Sequence, residues 1–293
     1  MYNSLKPSFF IAGVPKAGTT ALHEYLSKHP QVAMSRDKEP NYFSWQEIEQ
    51  QQLYYRKKNI KTEEEYLNLF NTNTNALIAG EASISYLFYP ESAKRINAFQ
   101  PDAKIIISLR EPVSRTVSHY QMDYSLGLVT TDLETIWRQG KNHPKTGLYY
   151  QQYFQLSEYF HQVENYLQVF SKEKMLIFLH EELIEDQSRC LKKLCDFLKI
   201  DFNLAPLEIS SRNVTLAGKN KVVRYLYSND FVRKGLSLLT NESVKSTVKK
   251  LLFTKSKFPE IRAAFKSELK SHYQSDLINL ERITGLNLNK WYQ

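Results

Sequence analysis

The stretch Phe9-Phe10-Ile11-Ala12-Gly13-Val14-Pro15-Lys16-Ala17-Gly18-Thr19-Thr20-Ala21-Leu22 limits what this chain can fold into more than any other. An apolar run breaks at Gly13, passes through Pro15-Lys16-Ala17-Gly18 and continues as an amphipathic segment toward Ser27. That order reads as a buried strand, a tight loop and the first turn of a helix. Such a loop aims backbone N–H groups and the positive end of a helix at one point, a ready site for phosphate or another anion. Gly13 and Gly18 flank four residues as in the P-loop pattern, but Thr19-Thr20 stands where Lys-Ser/Thr would follow. The lysine has moved into the loop as Lys16. A plain glycine-bounded β–α turn accounts for the glycines alone; the in-loop lysine and the paired threonines favour the anion site.

With 293 residues, 42% of them hydrophobic, the chain can bury the core of one large domain or two small ones. A net charge of +8 suits an anionic ligand, polymer or surface. The basic residues are spread along the chain without a polybasic tail, which argues against nucleic acid. Residues 1–8 lead straight into the first strand, leaving no room for a signal peptide, and no apolar run approaches membrane-spanning length. Cys190 and Cys195 lie on different faces of a helical pattern, so a disulfide between them is not expected and a reducing compartment fits. The expectation is a cytoplasmic chain, or else a trimmed catalytic domain, with weak self-association left open.

Along the chain, a helix over 21–29 ends at Pro30, and 31–34 is a short extended piece. Lys38-Glu39-Pro40-Asn41-Tyr42-Phe43 follows, with Pro40 expected to hold Glu39 extended. Thr62 and Glu65 form a capping-box pattern that opens a helix over 62–70. Residues 76–83 read as a buried strand, 92–99 as a helix, and 104–109 as a fully apolar strand of the kind a sheet covered on both faces requires. Arg110-Glu111-Pro112 then opens a helix over 113–126, on which Ser114 and Ser118 share a face. One long helix is expected over 148–170, a strand over 174–179 and a helix over 186–198. This alternation gives an α/β class with a mostly parallel sheet. Its crevice at the carboxyl ends of the strands brings Lys16, Glu81 and Arg110 to one side. Beyond Asn213 the pattern turns helical and basic, over 219–226 and 261–285, with no internal repeat and no clear domain boundary.

A nucleoside triphosphate enzyme would place lysine beside Ser/Thr and an acid near a strand end for magnesium. This chain has Arg110 at that strand end, and its seven histidines show no ligand spacing, so no metal is called for. Two cationic anchors on separate strand ends suit a nucleotide with phosphate at both ends.

At these residues the chain resembles the sulfotransferase family. Pro15-Lys16-Ala17-Gly18-Thr19-Thr20 is similar to its 5′-phosphosulfate loop, and Leu109-Arg110-Glu111-Pro112-Val113-Ser114-Arg115 with Ser118 to its 3′-phosphate motif. Residues 179–186 are similar to the family's strand-to-loop segment, so the likeness covers roughly residues 8–200 in order. Residues 38–43 further resemble the glutamate-bearing segment of the heparan-type, carbohydrate-modifying branch. The resemblance implies one domain over 1–293 with a P-loop-like, three-layer α/β fold and a helical C-terminal part over about 212–293. It implies 3′-phosphoadenosine 5′-phosphosulfate (PAPS) as donor, PAP as product and a small-molecule or glycan acceptor. Lys16 and Glu39 would then be catalytic, with Glu39 as base. Lys16, Ala17, Gly18, Thr19, Thr20, Ala21, Arg110, Ser118 and Lys219 would hold the nucleotide, and Glu39, Tyr42, Glu81 and Ser83 would line the acceptor side.

Departures from the branch are Ala82 where a lysine usually follows the glutamate matching Glu81, and no evident disulfide-bearing loop near the C-terminus. Residues alone read Tyr42, Trp45 and Tyr86 as core aromatics bordering the crevice and His119 and His180 as supporting residues; the plain alternatives are a structural ion pair of Arg110 with Glu111 or Glu81 and a solvated loop position for Glu39. A P-loop kinase and a non-catalytic binder of anionic polymers stand as alternatives.

Overall fold

A computed structural model describes residues 5–53, 60–70, 76–202 and 258–292 in full, and 216–218 and 253–255 as backbone. Five strands, β1 (Pro7–Gly13), β2 (Val32–Met34), β3 (Ile78–Ala82), β4 (Lys104–Leu109) and β5 (Met175–Leu179), form one sheet in the order β2–β3–β1–β4–β5. Every pairing in it is parallel, so the α/β expectation holds and the sheet is parallel throughout rather than mostly so. Phe10 of β1 lies opposite Glu81 on one side and Ile105 on the other. After β1 the chain runs to the sheet edge for β2, returns to pair β3 beside β1, then crosses to the other side of β1 for β4 and β5. The strand order therefore reverses between β1 and β4, and the loops leaving those two strands flank the crevice that such a reversal opens.

Strand side chains alternate between faces, and the core divides accordingly. Phe9, Ile11, Ile106 and Phe178 pack with α1 (Thr19–Ser27) and α10 (Gln187–Leu198). Phe10, Ala12, Ile105 and Ile107 pack on the opposite face, with α4 (Pro90–Phe99), α5 (Pro112–Leu126), α8 (Tyr159–Leu167) and α11 (Ala263–Thr284). α11 contributes Phe265, Leu269, Tyr273, Leu277 and Leu280, a stripe spaced by four and three residues. Shorter helices are α2 (Trp45–Gln50), α3 (Glu63–Leu67), α6 (Leu133–Gln139), α7 (Gly147–Tyr153), α9 (His180–Glu185) and α12 (Asn289–Tyr292). The capping box at Thr62 and Glu65 is present, and Asp186 caps α10. A short antiparallel ribbon joins Leu216–Gly218 to Phe253–Lys255, and its first strand runs beside α5. The expected helix over 219–226 lies outside the described residues. Cys190 and Cys195 are both free thiols.

The single helix expected over 148–170 is instead α7, a 3₁₀ turn (Gln155–Ser157) and α8. Arg115, fully buried on α5, donates to the carbonyls of Gln152 and Tyr153 and to Ser157 Oγ. Asp276 of α11 accepts the N–H groups of Tyr159 (2.8 Å) and Phe160 (3.0 Å). Side chains distant in sequence thus satisfy the backbone groups that a break in the helix releases. Among the described residues no helix is long and apolar enough to cross a membrane.

Candidate active site

The loop after β1 is held by its carbonyls. Val14 N–H bonds to Ser108 O (2.9 Å), Ser108 Oγ donates to Ala17 O, and Arg110 Nη1 donates to Lys16 O (3.0 Å). His180, the first residue of α9, also meets the Ala17 backbone. Gly18 is required twice over. Its φ of +84° is left-handed, and a Cβ there would lie 2.9 Å from both His180 Nδ1 and Leu183 Cδ2. With no side-chain cap on α1 and no acid in its first turn, the first N–H groups of the helix are left for a ligand. By contrast α5 is capped by its own Glu111, which accepts from Val113 N (2.9 Å) and Ser114 N (2.7 Å).

Lys16 sits half-buried at a left-handed φ of 73°. Burial pulls its ammonium below the ordinary lysine value, opposed by Asp123 and reinforced by Arg110, Arg115 and Lys38. Four cations therefore share one neighbourhood with two carboxylates, Asp123 and the Glu39 that meets Lys38, an excess of positive charge that favours a polyanion. Its Nζ is 3.4 Å from the Met122 thioether, a weak acceptor. Arg110 enters no ion pair among the described residues, since Glu111 caps α5 and Glu81 is enclosed elsewhere. Ser118 lies half-buried on α5, Thr19 and Ala17 are buried, and Ala21 is half-buried. Lys219 lies outside the described residues.

Glu39 does not take the extended geometry expected before Pro40; its φ is 60°. Its N–H bonds to Ala82 O (3.0 Å) at the end of β3, and its carbonyl accepts from Asn41 Nδ2 (2.8 Å). These tertiary bonds override the local preference of a residue before proline. Non-glycine residues with positive φ carry strain and gather at functional sites, and here they include Lys16, Glu39 and Asn41. Lys38 joins the two halves of the site: its Nζ lies 3.1 Å from Thr20 Oγ1 at the start of α1 and 3.1 Å from Glu39 Oε1. Burial lowers the pKa of this amine as well, with Glu24 opposing.

Of the other acceptor-side candidates, Tyr42 is half-buried and Glu81 and Ser83 are enclosed. Tyr42 stacks on Tyr66 at 4.5 Å between ring centroids and meets the edges of Phe43 and Phe99, so it packs half-buried against the aromatic core. Glu81 and Ser83 are fully buried. Glu81 Oε1 accepts from Tyr66 (2.9 Å) and Tyr86 (2.6 Å), and Oε2 from Ser83 (2.6 Å). Burial pushes the Glu81 pKa up from the ordinary 4.5 to about 7, with the three hydroxyl bonds opposing. The folded state thus holds this proton more tightly than the unfolded chain does, so stability is fully present below the ordinary value and is lost as pH rises toward about 7. Glu81→Gln does not titrate. Its melting temperature relative to wild type should therefore rise from about pH 5 to about pH 8; a constant difference across a pH series would show that burial does not perturb Glu81.

Sequence reasoning gave no role to Lys38 or Asp123. Asp123 is fully buried, accepts from Tyr153 OH (2.8 Å) and helps hold Lys16 charged. A signal for it existed: Arg115, His119 and Asp123 recur every fourth residue along a helix that faces the core.

The sulfotransferase domain family model matches residues 6–275 of the chain. Mouse (Mus musculus) carbohydrate sulfotransferase 15 is 33% identical over 39% of this chain and 27% of its own length. Human (Homo sapiens) heparan sulfate glucosamine 3-O-sulfotransferase 3B1 is 29% identical over 66% of this chain and 46% of its own length. The chain thus spans under half the length of these curated relatives. A crystal structure of a sulfotransferase from Alicyclobacillus acidocaldarius superposes with a TM-score of 0.72 at 26% identity, covering 98% of this chain and 99% of that one. A P-loop-like α/β core, an uncapped helix behind an in-loop lysine and a match along nearly the whole chain agree: the chain belongs to the sulfotransferase domain family.

Proposed function

We propose that this chain transfers a sulfuryl group from PAPS to a hydroxyl of a carbohydrate or other small acceptor. The observation that carries the reading is the Lys38 ammonium placed between Thr20 and Glu39, which ties a carboxylate to the mouth of an anion-binding loop. The residues fit a bisphosphorylated nucleotide: Gly18 permits the left-handed turn that opens α1, the start of that helix carries no side-chain cap, and Arg110 stands on the neighbouring strand end. When bound, PAPS supplies the sulfuryl group, which passes to the acceptor by in-line displacement and leaves PAP.

In this reading the N–H groups of residues 17–20 and the Thr19 and Thr20 hydroxyls hold the 5′ end of the nucleotide, with Ala21 N–H closing the turn on Gly18 O (2.9 Å). Arg110 and Ser118 hold the 3′-phosphate through charge-assisted bonds. Lys16 faces the oxygen on which charge develops, and Glu39 takes the acceptor's proton. The carbohydrate named in two relatives supports a glycan among the acceptors to be tested. The test is mass spectrometry of a panel of sugars, lipids and alcohols incubated with PAPS, beside a parallel set with ATP and magnesium. Sulfated product in the first set alone supports the reading, and phosphorylated product in the second overturns it.

Arg110→Ala probes the nucleotide directly. Wild type should bind PAP more tightly than 5′-AMP, and the variant should lose most of that preference, about 1.5–3 kcal/mol for a charged hydrogen bond. Equal affinity of the wild type for both nucleotides in calorimetry would remove the 3′-phosphate from the assignment.

A further inference from the structure

Behind the segment that carries Glu39 lies a carboxylate with no exposure to solvent, and its contacts have a direction. Glu81 accepts the hydroxyl protons of Tyr66, Tyr86 and Ser83. Two of those oxygens accept in turn from the neighbouring segment: Ser83 Oγ from Asn41 N–H (3.0 Å) and Tyr86 Oη from Phe43 N–H (3.3 Å). Asn41 passes the order on, donating Nδ2 to the Glu39 carbonyl (2.8 Å) and accepting at Oδ1 from Ser85 (2.7 Å). An ionised carboxylate can only accept. Each hydroxyl must therefore send its single proton inward and keep its lone pairs for the segment. That polarity is what the backbone N–H groups of Asn41 and Phe43 require.

We infer that Glu81 is a positioning residue, whose carboxylate orients the Ser83 and Tyr86 hydroxyls so that they fix the backbone of residues 39–43 and aim Glu39 at the loop. The inference rests on the reading of Glu39 as the base. An enclosed carboxylate satisfied by neutral hydroxyls is a poor choice for stability, where an amide or apolar group would avoid the desolvation. Such a violation of the local rule points to function. The titratable groups facing Glu81 are Tyr66 on α3, Tyr86 after β3 and Tyr166 on α8, with Tyr42 stacked on Tyr66. Each of those three phenols is pushed well above its ordinary pKa by burial, so Glu81 is the member that titrates near neutrality.

Glu81→Gln keeps the shape and reverses the polarity, because its amide nitrogen must donate where a carboxylate oxygen accepted. Amide exchange of Asn41 and Phe43 should then quicken at least ~10-fold, while the amide of Ile106 in the core of β4 exchanges as in wild type. With an acceptor in hand, kcat near pH 8 should fall about 10-fold with PAP affinity within about twofold. That gap should close as pH falls below about 7 and wild-type Glu81 takes up its proton. Ser83→Ala, which leaves Glu81 with two tyrosines, should quicken Asn41 alone and decides the question if the glutamine variant does not fold. Unchanged exchange at Asn41 and Phe43 overturns the inference whether or not sulfuryl transfer is found. Faster exchange with undiminished kcat overturns the link to Glu39. If wild type transfers no sulfuryl group, the reading of Glu39 fails, and the exchange rates still decide whether Glu81 orders the segment.

Discussion

Lys16→Ala is expected to lower turnover at least ~10²-fold while PAP affinity changes only a few-fold, because in the proposed transfer the lysine faces charge that exists only in the transition state. The local arrangement prepares it for that role. Among the described residues Lys16 Nζ bonds only to the Met122 sulfur, so the ammonium is not neutralised by a direct ion pair there. Asp123 is buried deeply enough to support the charge electrostatically without capturing it. The left-handed backbone at Lys16 orients the loop, and Arg110 secures that turn through the Lys16 carbonyl. The backbone anchors remain when the side chain is cut to alanine, so the loop and most nucleotide contacts should persist. Single-turnover rates in nucleotide-saturated enzyme, beside calorimetry with PAP, separate the two effects. A variant that binds PAP poorly yet reacts at the wild-type rate once saturated would reduce Lys16 to a tether.

Glu39→Gln should lower kcat by about 10²-fold, the range for loss of a general base, with donor affinity nearly unchanged. The amide oxygen of the variant can still accept from Lys38 where the carboxylate did, so the change removes basicity and leaves the link to Thr20 in place. The Glu39 carboxylate lies 3.1 Å from the Lys38 ammonium in the wild type. Wild-type turnover in the glutamine variant, measured with an acceptor identified by mass spectrometry, would move the base elsewhere.

The parts of this site legible in the sequence are those built from contiguous residues. A strand, a four-residue loop and a helix start occupy 9–22 without interruption, so the glycines, Lys16 and the threonines announce the anion site before any tertiary contact is known. β4 spans Lys104–Leu109 as its run of three isoleucines and a leucine requires, and the capping residues Thr62 and Asp186 mark helix starts because a cap acts within three residues. Polar groups answered from far along the chain were not legible. Glu39 turns left-handed on account of Ala82 and Asn41, and the 148–170 helix breaks for Arg115 and Asp276. Glu81 reads equally well as a crevice-lining acid or as a core group. A strand's two-residue period says which residues share a face and not what covers that face. Only the tertiary structure, by laying Tyr66, Tyr86 and Ser83 around it, decided that its carboxylate faces inward, because a hydrogen bond depends on where atoms lie in space and not on their distance along the chain.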